Sequence, residues 1–371
     1  MAVRSWHGDR KDPALKKRYK FWAGILISGL FFLLFVRGMD LKKVWTATRQ
    51  ANYSFILLAV VVNVVSFLIR AERWEYLLEP IKKVRFPSLF SAVCIGFMGN
   101  SLLPARAGEF IRAYVIGKRE GITKTGAFAT IVTERLFDGL TLLLMLIIVV
   151  TVFPFPQENY GSYITIGFLK WAVGLTSFFY GIVIATLFFL SWKPDHVWRL
   201  MSFTLFRYLP EEMIKRIEVL YRAFLSGLES LKRGRHILTI AVYSILLWMV
   251  TAFGIYLLFP AFSIRLDFLS AILIMVVVAV VVMLPSSPGF VGTFHLASSE
   301  TLILLGINAH VAKTFAIVHH AACIIPVVML GLFYLSREQL SFREIKASVP
   351  EEYKVLEKGN MPAEGHLPKQ S

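Results

Sequence analysis

Two stretches of this chain are apolar enough to enter a membrane and yet break in the middle, and nothing else constrains its fold as much. Residues 88–118 contain IGFMGNSLLPARAGEFIRAY, interrupted at Gly99-Asn100 and Pro104. Residues 268–307 end an apolar run in MLPSSPGFVGTFHL. Backbone that leaves a helix at membrane depth must be buried in protein or line a wet cavity, because lipid cannot satisfy its amide groups. Each stretch is therefore a re-entrant pair or a discontinuous helix, and the remaining spans must enclose it.

Composition agrees. With 371 residues, 56% of them hydrophobic and 17% charged, and a mean hydropathy of +0.63, the chain is too apolar for a soluble domain. The expectation is an all-α polytopic membrane protein. A bilayer core of about 30 Å takes about 20 helical residues. Six stretches qualify as full spans: 20–37, 52–70, 127–152, 168–191, 237–259 and 313–335. The formal net charge of +16 does not point to nucleic acid, because the basic residues fall between apolar segments instead of along one run. Cys94 and Cys323 both lie in apolar segments, so no disulfide framework or metal-ligand spacing is present. The first apolar run follows a basic stretch but lacks a small-residue cleavage site, so it is read as an uncleaved helix.

Charge orients the chain. If residues 88–118 turn back to the side they entered from, the basic loops 1–20, 70–87, 117–126, 192–236 and 336–346 share one side. By the positive-inside rule that side is cytoplasmic, with both termini there, in the cytoplasmic (inner) membrane. Lys42, Lys43 and Arg49 alone run against the assignment, whereas the outer segments 153–167 and 260–267 hold only Arg265.

The resulting order is span, span, re-entrant hairpin, span, and then the same with every direction reversed. Local parallels support a duplication: Leu103-Pro104 against Leu284-Pro285, Gly121-Ile122 against Gly306-Ile307, and Phe128-Ala129 against Phe315-Ala316. An inverted-topology repeat is expected, with halves 20–152 and 168–335 inside a membrane domain of residues 20–346. Transporters built this way place their sites at the repeat interface near the midplane. A basic terminus, 1–19, precedes the domain. Between the halves, 193–236 carries Ile214, Ile217, Leu220, Phe224, Leu228 and Leu231 at helical spacing, which predicts an amphipathic helix on the cytoplasmic surface. The tail 347–371 is expected to be disordered.

Charges inside spans cost at least about 2.5 kcal/mol each on insertion scales, so they mark function or a paired structural contact. Glu134, Arg135 and Asp138 are such a group. Glu134 and Asp138 share a helix face, and Arg135 reaches Asp138 three residues on. They read either as a salt bridge tying helices together or as part of substrate handling, and the two are compatible. His319 and His320 stand at the repeat-related place. Adjacent histidines project about 100° apart and no third ligand accompanies them, which argues against a metal. In the first hairpin, Asn100, Arg106, Glu109 and Arg112 follow or flank the break. Arginines there, beside the positive end of a new helix, suit a phosphate; alternatively Glu109 neutralises one of them and Arg112 snorkels. In the second, Ser286, Gly289, Gly292 and His295 form a turn whose glycines let backbone come close to a ligand or to another helix.

The run LLPARAGEFIRAY, then TERLFD, then LPSSPGFVGTFH, in this order and spacing, resembles the lysylphosphatidylglycerol synthase transmembrane family, a flippase-like family of integral membrane proteins. The motif residues are Pro104, Gly108-Glu109 and Arg112; Glu134-Arg135 and Asp138; Pro285, Pro288-Gly289 and Gly292. The resemblance covers about 20 to 335 and implies handling of lipids with large polar heads. Its best-known members carry a cytoplasmic aminoacyl-transferase domain, which nothing after 347 resembles. His295 stands where many members have glutamate, and His319-His320 where an arginine often falls.

The expected function is a lipid flippase or lipid-transport protein acting on a polar-headed or anionic membrane lipid. Arg106 and Arg112 would hold the headgroup, and Glu134, Arg135 and Asp138 would form a gating network with His295, His319 and His320. A membrane-embedded lipid-modifying transferase and a non-catalytic scaffold for a lipid-synthesis enzyme are the alternatives. No catalytic residue, metal or cofactor is assigned, and no nucleotide-binding loop of the G-x-x-x-x-G-K-[ST] kind is present.

Overall fold

A computed structural model describes residues 33, 35, 41–103, 107–153, 166–204, 234–282 and 288–341, with isolated positions between 213 and 225 and between 344 and 348. The helices are α1 (Leu41–Gln50), α2 (Tyr53–Leu78), α3 (Phe86–Leu102), α4 (Gly108–Glu120), α5 (Lys124–Val152) and α6 (Ile166–Trp192). After them come α7 (Pro194–Thr204), α8 (Gly234–Ala261), α9 (Phe268–Val282), a single 3-10 turn at Pro288–Phe290, α10 (Thr293–Leu304) and α11 (Ala309–Arg337). No strand occurs among the described residues.

Four helices, α2, α5, α8 and α11, are long and apolar enough to cross a membrane. At 26 to 29 residues they reach about 39–44 Å. Their outward faces carry large apolar side chains at helical spacing, such as Leu57, Val61, Val65 and Leu68 on α2 and Ile325, Met329, Leu332 and Phe333 on α11. Such stripes belong against lipid, and the chain is a multi-pass integral membrane protein. The expected span at 168–191 lies within the 27-residue α6. The one expected at 20–37 lies outside the described residues apart from Leu33 and Phe35.

Two expected boundaries move. The span placed at 52–70 continues to Leu78, because Ala71, Arg73, Trp74, Leu77 and Leu78 are buried against neighbouring helices. Likewise Lys118 and Arg119, expected in a loop from 117, complete α4, which ends at Gly121 with φ 70. Arg70 and Arg73 therefore belong to a membrane helix and not to a basic loop.

Each half pairs two short helices before a long one. α3 and α9, of 17 and 15 residues, are each too short to cross a core of about 30 Å. Their partners α4 and α10, of 13 and 12 residues, each end at a glycine of positive φ, Gly121 at 70 and Gly306 at 82. Two residues after each glycine comes the N-cap of the long helix: Thr123 accepts from Gly126 N–H at 3.3 Å, and Asn308 from His310 N–H at 2.9 Å. The Gly-Ile parallel read in the sequence is thus one helix terminator used twice.

Packing repeats the same scheme. α3 lies on α11 and α9 on α5, so each hairpin supports the long helix of the other half. The equivalent helices α2 and α8 form the central pair. They run antiparallel: Asn52 N–H donates to Ala261 O at 3.0 Å at one end, and His236 Nε2 lies 3.3 Å from Glu79 Oε2 at the other. A two-fold axis that exchanges antiparallel helices must be perpendicular to them. In an inverted-topology repeat such an axis lies in the membrane plane, and the antiparallel α2 and α8 fit that arrangement.

Of the segment 193–236, α7 is described, and Tyr221 donates from its hydroxyl to Pro194 O at 2.8 Å. The apolar series expected between 214 and 231 lies mostly outside the described residues, as do the termini 1–19 and 351–371.

Candidate functional site

The first hairpin closes on its glycines. A Cβ at Gly108 would stand 2.6 Å from the backbone nitrogen of Asn100, and one at Gly96 would stand 2.9 Å from Gly108 O and from Arg112 Cβ. Only with backbone against backbone can α3 and α4 lie this close. The Asn100 side chain then accepts from Gly108 N–H at 2.9 Å, capping the new helix at membrane depth. Arg112 follows one turn later and points toward α5. Arg106, with Pro104, lies outside the described residues.

Arg112 donates to both oxygens of Glu134, Nη1 to Oε1 at 2.9 Å and Nη2 to Oε2 at 2.7 Å, and its Cζ lies 3.8 Å from the Trp74 ring centroid. Arg135 Nη2 donates to Glu134 Oε1 at 2.8 Å, and Arg73 Nη2 lies 3.2 Å from the same oxygen. Three guanidinium groups thus surround one carboxylate that has no solvent-exposed surface. Asp138, one turn on, accepts from Arg73 Nη1 at 2.6 Å and from Trp248 Nε1 at 3.2 Å, and lies 3.2 Å from Arg135 Nη1. Glu109 lies 3.4 Å from Arg135 Nε. Arg73 also donates to Ser244 Oγ at 2.8 Å, which brings α8 of the second half into the cluster.

The cluster lies 10 to 14 residues along α5, about 15–21 Å from its start. At that depth each ion has lost several kcal/mol of hydration, and only converging opposite charges offset the loss. Phe97 of α3 closes one side, with the guanidinium carbons of Arg70 and Arg135 lying 4.8 and 5.8 Å from its centroid.

The second half presents histidines instead. His320 Nε2 meets Gly289 O at 2.7 Å, His319 Nδ1 meets Ser298 Oγ at 3.2 Å, and Gly292 N–H donates to His295 Nδ1 at 3.3 Å. The His295 and His320 rings lie 4.4 Å apart. Gly289 and Gly292 have φ of 72 and 88, and Gly289 faces Ser101 O of the first hairpin, so the two broken segments meet tip to tip. Pro285 and Ser286 lie outside the described residues. Among the described residues no ion pair or hydrogen bond joins the histidines to the carboxylates. Beside His319 a cavity of about 30 Å³, lined also by Asn63, Thr251 and Cys323, has room for water.

The structure therefore gathers Glu109, Arg112, Glu134, Arg135 and Asp138 into one cluster and His295, His319 and His320 into another. Asn100 serves the hairpin. The sequence reading passed over Arg70, Arg73, Trp74, Ser244 and Trp248. A signal existed for two of them: Arg70 and Arg73 are three apart on an uninterrupted helical pattern that runs on to Leu78.

Known proteins are similar to this chain over most of its length. The family described as lysylphosphatidylglycerol synthase TM region matches residues 21–331. A UPF0104 membrane protein of Methanothermobacter thermautotrophicus is 24% identical over 334 residues, which cover 86% of this chain and 93% of that protein. Another, of Pyrococcus horikoshii, is 23% identical over 335 residues, covering 85% and 97%. The protein named Glycosyltransferase AglD, of Haloferax volcanii, is 32% identical over 143 residues, but these span 38% of this chain and only 23% of that protein. With its two broken hairpins, its buried Glu-Arg-Asp cluster and a match across both halves, the chain belongs to the lysylphosphatidylglycerol synthase TM region family.

Proposed function

We propose that the protein moves a lipid with a polar, phosphate-bearing head across the cytoplasmic membrane, along the interface between its two inverted halves. The observation that carries this reading is the placement of the Glu134–Asp138 cluster: charges at membrane depth, beside a broken hairpin, where α2 and α5 of one half meet α8 of the other. Ionisable groups are tolerated there when they serve a path or a moving contact. Inverted repeats supply the motion, one half rocking against the other about a site near the midplane. Arg112 is held bidentately by Glu134, which suits it to positioning the hairpin. Headgroup contact is left to Arg135, whose side chain keeps 33% of its surface exposed.

A second reading, in which this segment presents a lipid to a transferase, draws on the family's name, that of a lipid synthase, and on the stretch shared with Glycosyltransferase AglD. Glu134 and Asp138 are each held by at least two guanidinium groups, which leaves them poor general bases.

The test locks the halves. A Cβ built at Gly254 stands 4.0 Å from Val62 Cβ, within the span a disulfide bridges. In vesicles, the Val62→Cys/Gly254→Cys protein, with Cys94→Ala and Cys323→Ala, should translocate a fluorescent phospholipid when reduced and stop when oxidised. Equal translocation in both states would sink the rocking mechanism; none in the reduced variant or in wild type would favour the transferase reading.

A further inference from the structure

Arg70 is the guanidinium that the cluster does not match. It is 8% exposed, yet Nε and Nη1 have no hydrogen-bond partner. What surrounds it is aromatic: its Cζ lies 4.8 Å from the Phe97 centroid, 5.7 Å from Trp248 and 6.0 Å from Phe67. Rings attract a cation but accept none of its five N–H donors properly. Arg73, Arg112 and Arg135 each lie against a carboxylate. Among the described residues the cluster thus sets four guanidinium groups against three carboxylates, Glu109, Glu134 and Asp138.

The surplus has an open side. The Arg135 side chain keeps 33% of its surface exposed and shares the Phe97 ring with Arg70, each guanidinium carbon within 6 Å of the same centroid. A ligand meeting Arg135 from outside would need only to pass Phe97 to reach donors that have no acceptor. One net positive charge calls for one negative charge, and planar guanidinium forks favour paired oxygens. A phosphodiester has two free oxygens and one charge.

We infer that Arg70 and Arg135, across the Phe97 ring, form a binding site for a phosphate monoanion, the phosphodiester of a lipid headgroup. This rests on the lipid-handling reading above and names the group that reading leaves open. Arg70 is the residue that makes the site selective, because a dianionic phosphomonoester would leave the cluster with a net negative charge.

The experiment measures the melting temperature of the purified protein in mild detergent with dihexanoyl phosphatidylglycerol, with inorganic phosphate, or with neither. At about pH 8.5, where inorganic phosphate is dianionic and a phosphodiester is not, the short-chain lipid should raise the wild-type melting temperature, Arg70→Met should lose at least nine-tenths of that shift, and phosphate at equal concentration should give none. Without ligand, Arg70→Met should melt no lower than wild type, since a buried unmatched charge has been removed. Arg70→Lys, which keeps the charge but loses the fork, should show a reduced shift and serves if the Met variant does not fold. A lipid shift unchanged in Arg70→Met or, where that variant does not fold, unchanged in Arg70→Lys, overturns the site. A shift with phosphate alone overturns the lipid assignment. If Arg70-dependent binding appears but vesicles show no translocation, the transport reading fails and the site stands; if Arg70→Met translocates as well as wild type, the reverse holds.

Discussion

Glu134 has no exposed surface and three guanidinium neighbours, so its charge cannot be removed without consequence. Glu134→Gln keeps the shape but leaves Arg112 buried beside a neutral amide, a change worth about 3–5 kcal/mol when one partner of a buried pair is lost. Its melting temperature in detergent should fall clearly. Replacing both partners, with Glu134→Leu and Arg112→Met, should recover most of that loss, because apolar groups of similar volume tolerate the site. Translocation should remain absent in both variants. If the double variant transports like wild type, the pair is only a tie between α4 and α5. The pairing was half legible in the sequence: Glu134, Arg135 and Asp138 stood out on one apolar helix, but Arg73 hid at the end of an apparent loop. Helix periodicity reports faces, not partners on other helices.

The hairpin α3–α4 depends on absent side chains. An alanine at Gly108 would drive its Cβ into Gly96 O and within 2.6 Å of both Asn100 N and Asn100 Oδ1. Overpacking of this kind costs about 1–3 kcal/mol, and here it falls on backbone that cannot rotate away. Gly108→Ala should therefore lower the melting temperature and broaden the size-exclusion peak. Gly174→Ala, on α6 with nothing within 4 Å, should match or exceed wild-type stability, by up to about 1 kcal/mol from helix propensity. Equal behaviour of the two variants would mean that the close approach is not needed. That the stretch breaks was readable from Gly99, Asn100 and Pro104; that Asn100 caps α4 was not, because the cap reaches eight residues along the chain.

Across the whole molecule, charge divides the two faces. Lys82 Nζ lies 3.3 Å from Glu120 Oε2, Arg119 pairs with Glu338, and His236 lies beside Glu79, so the ends of α2, α4 and α11 and the start of α8 share one face. Lys82, Lys83, Arg85, Lys118, Arg119, Arg235 and Arg337 gather there, while the other face has Arg265 on the α8–α9 connection and Lys42, Lys43 and Arg49 on α1, which meets α2 where Asn52 N–H donates to Ala261 O. By the positive-inside rule we propose that the first face is the cytoplasmic one. With the native cysteines replaced by alanine, a membrane-impermeant maleimide applied to intact cells should label Ser263→Cys and not Gln339→Cys. The opposite pattern would reverse the orientation, and labelling of both would sink the topology.

The sequence alone determined what solvent and chain chemistry dictate locally: that the chain is helical and membrane-embedded, where two segments break, and that the halves repeat. These follow from hydropathy and from backbone that must find partners within its own segment. The tertiary structure decided which charges meet. Arg73 joins Asp138 across 65 residues, Ser244 enters from the other half, and Arg70 is left among aromatic rings. Such contacts depend on how antiparallel helices rotate and slide to fill space, which no period within one helix encodes. A surplus charge, in particular, exists only as a sum over helices that folding has brought together.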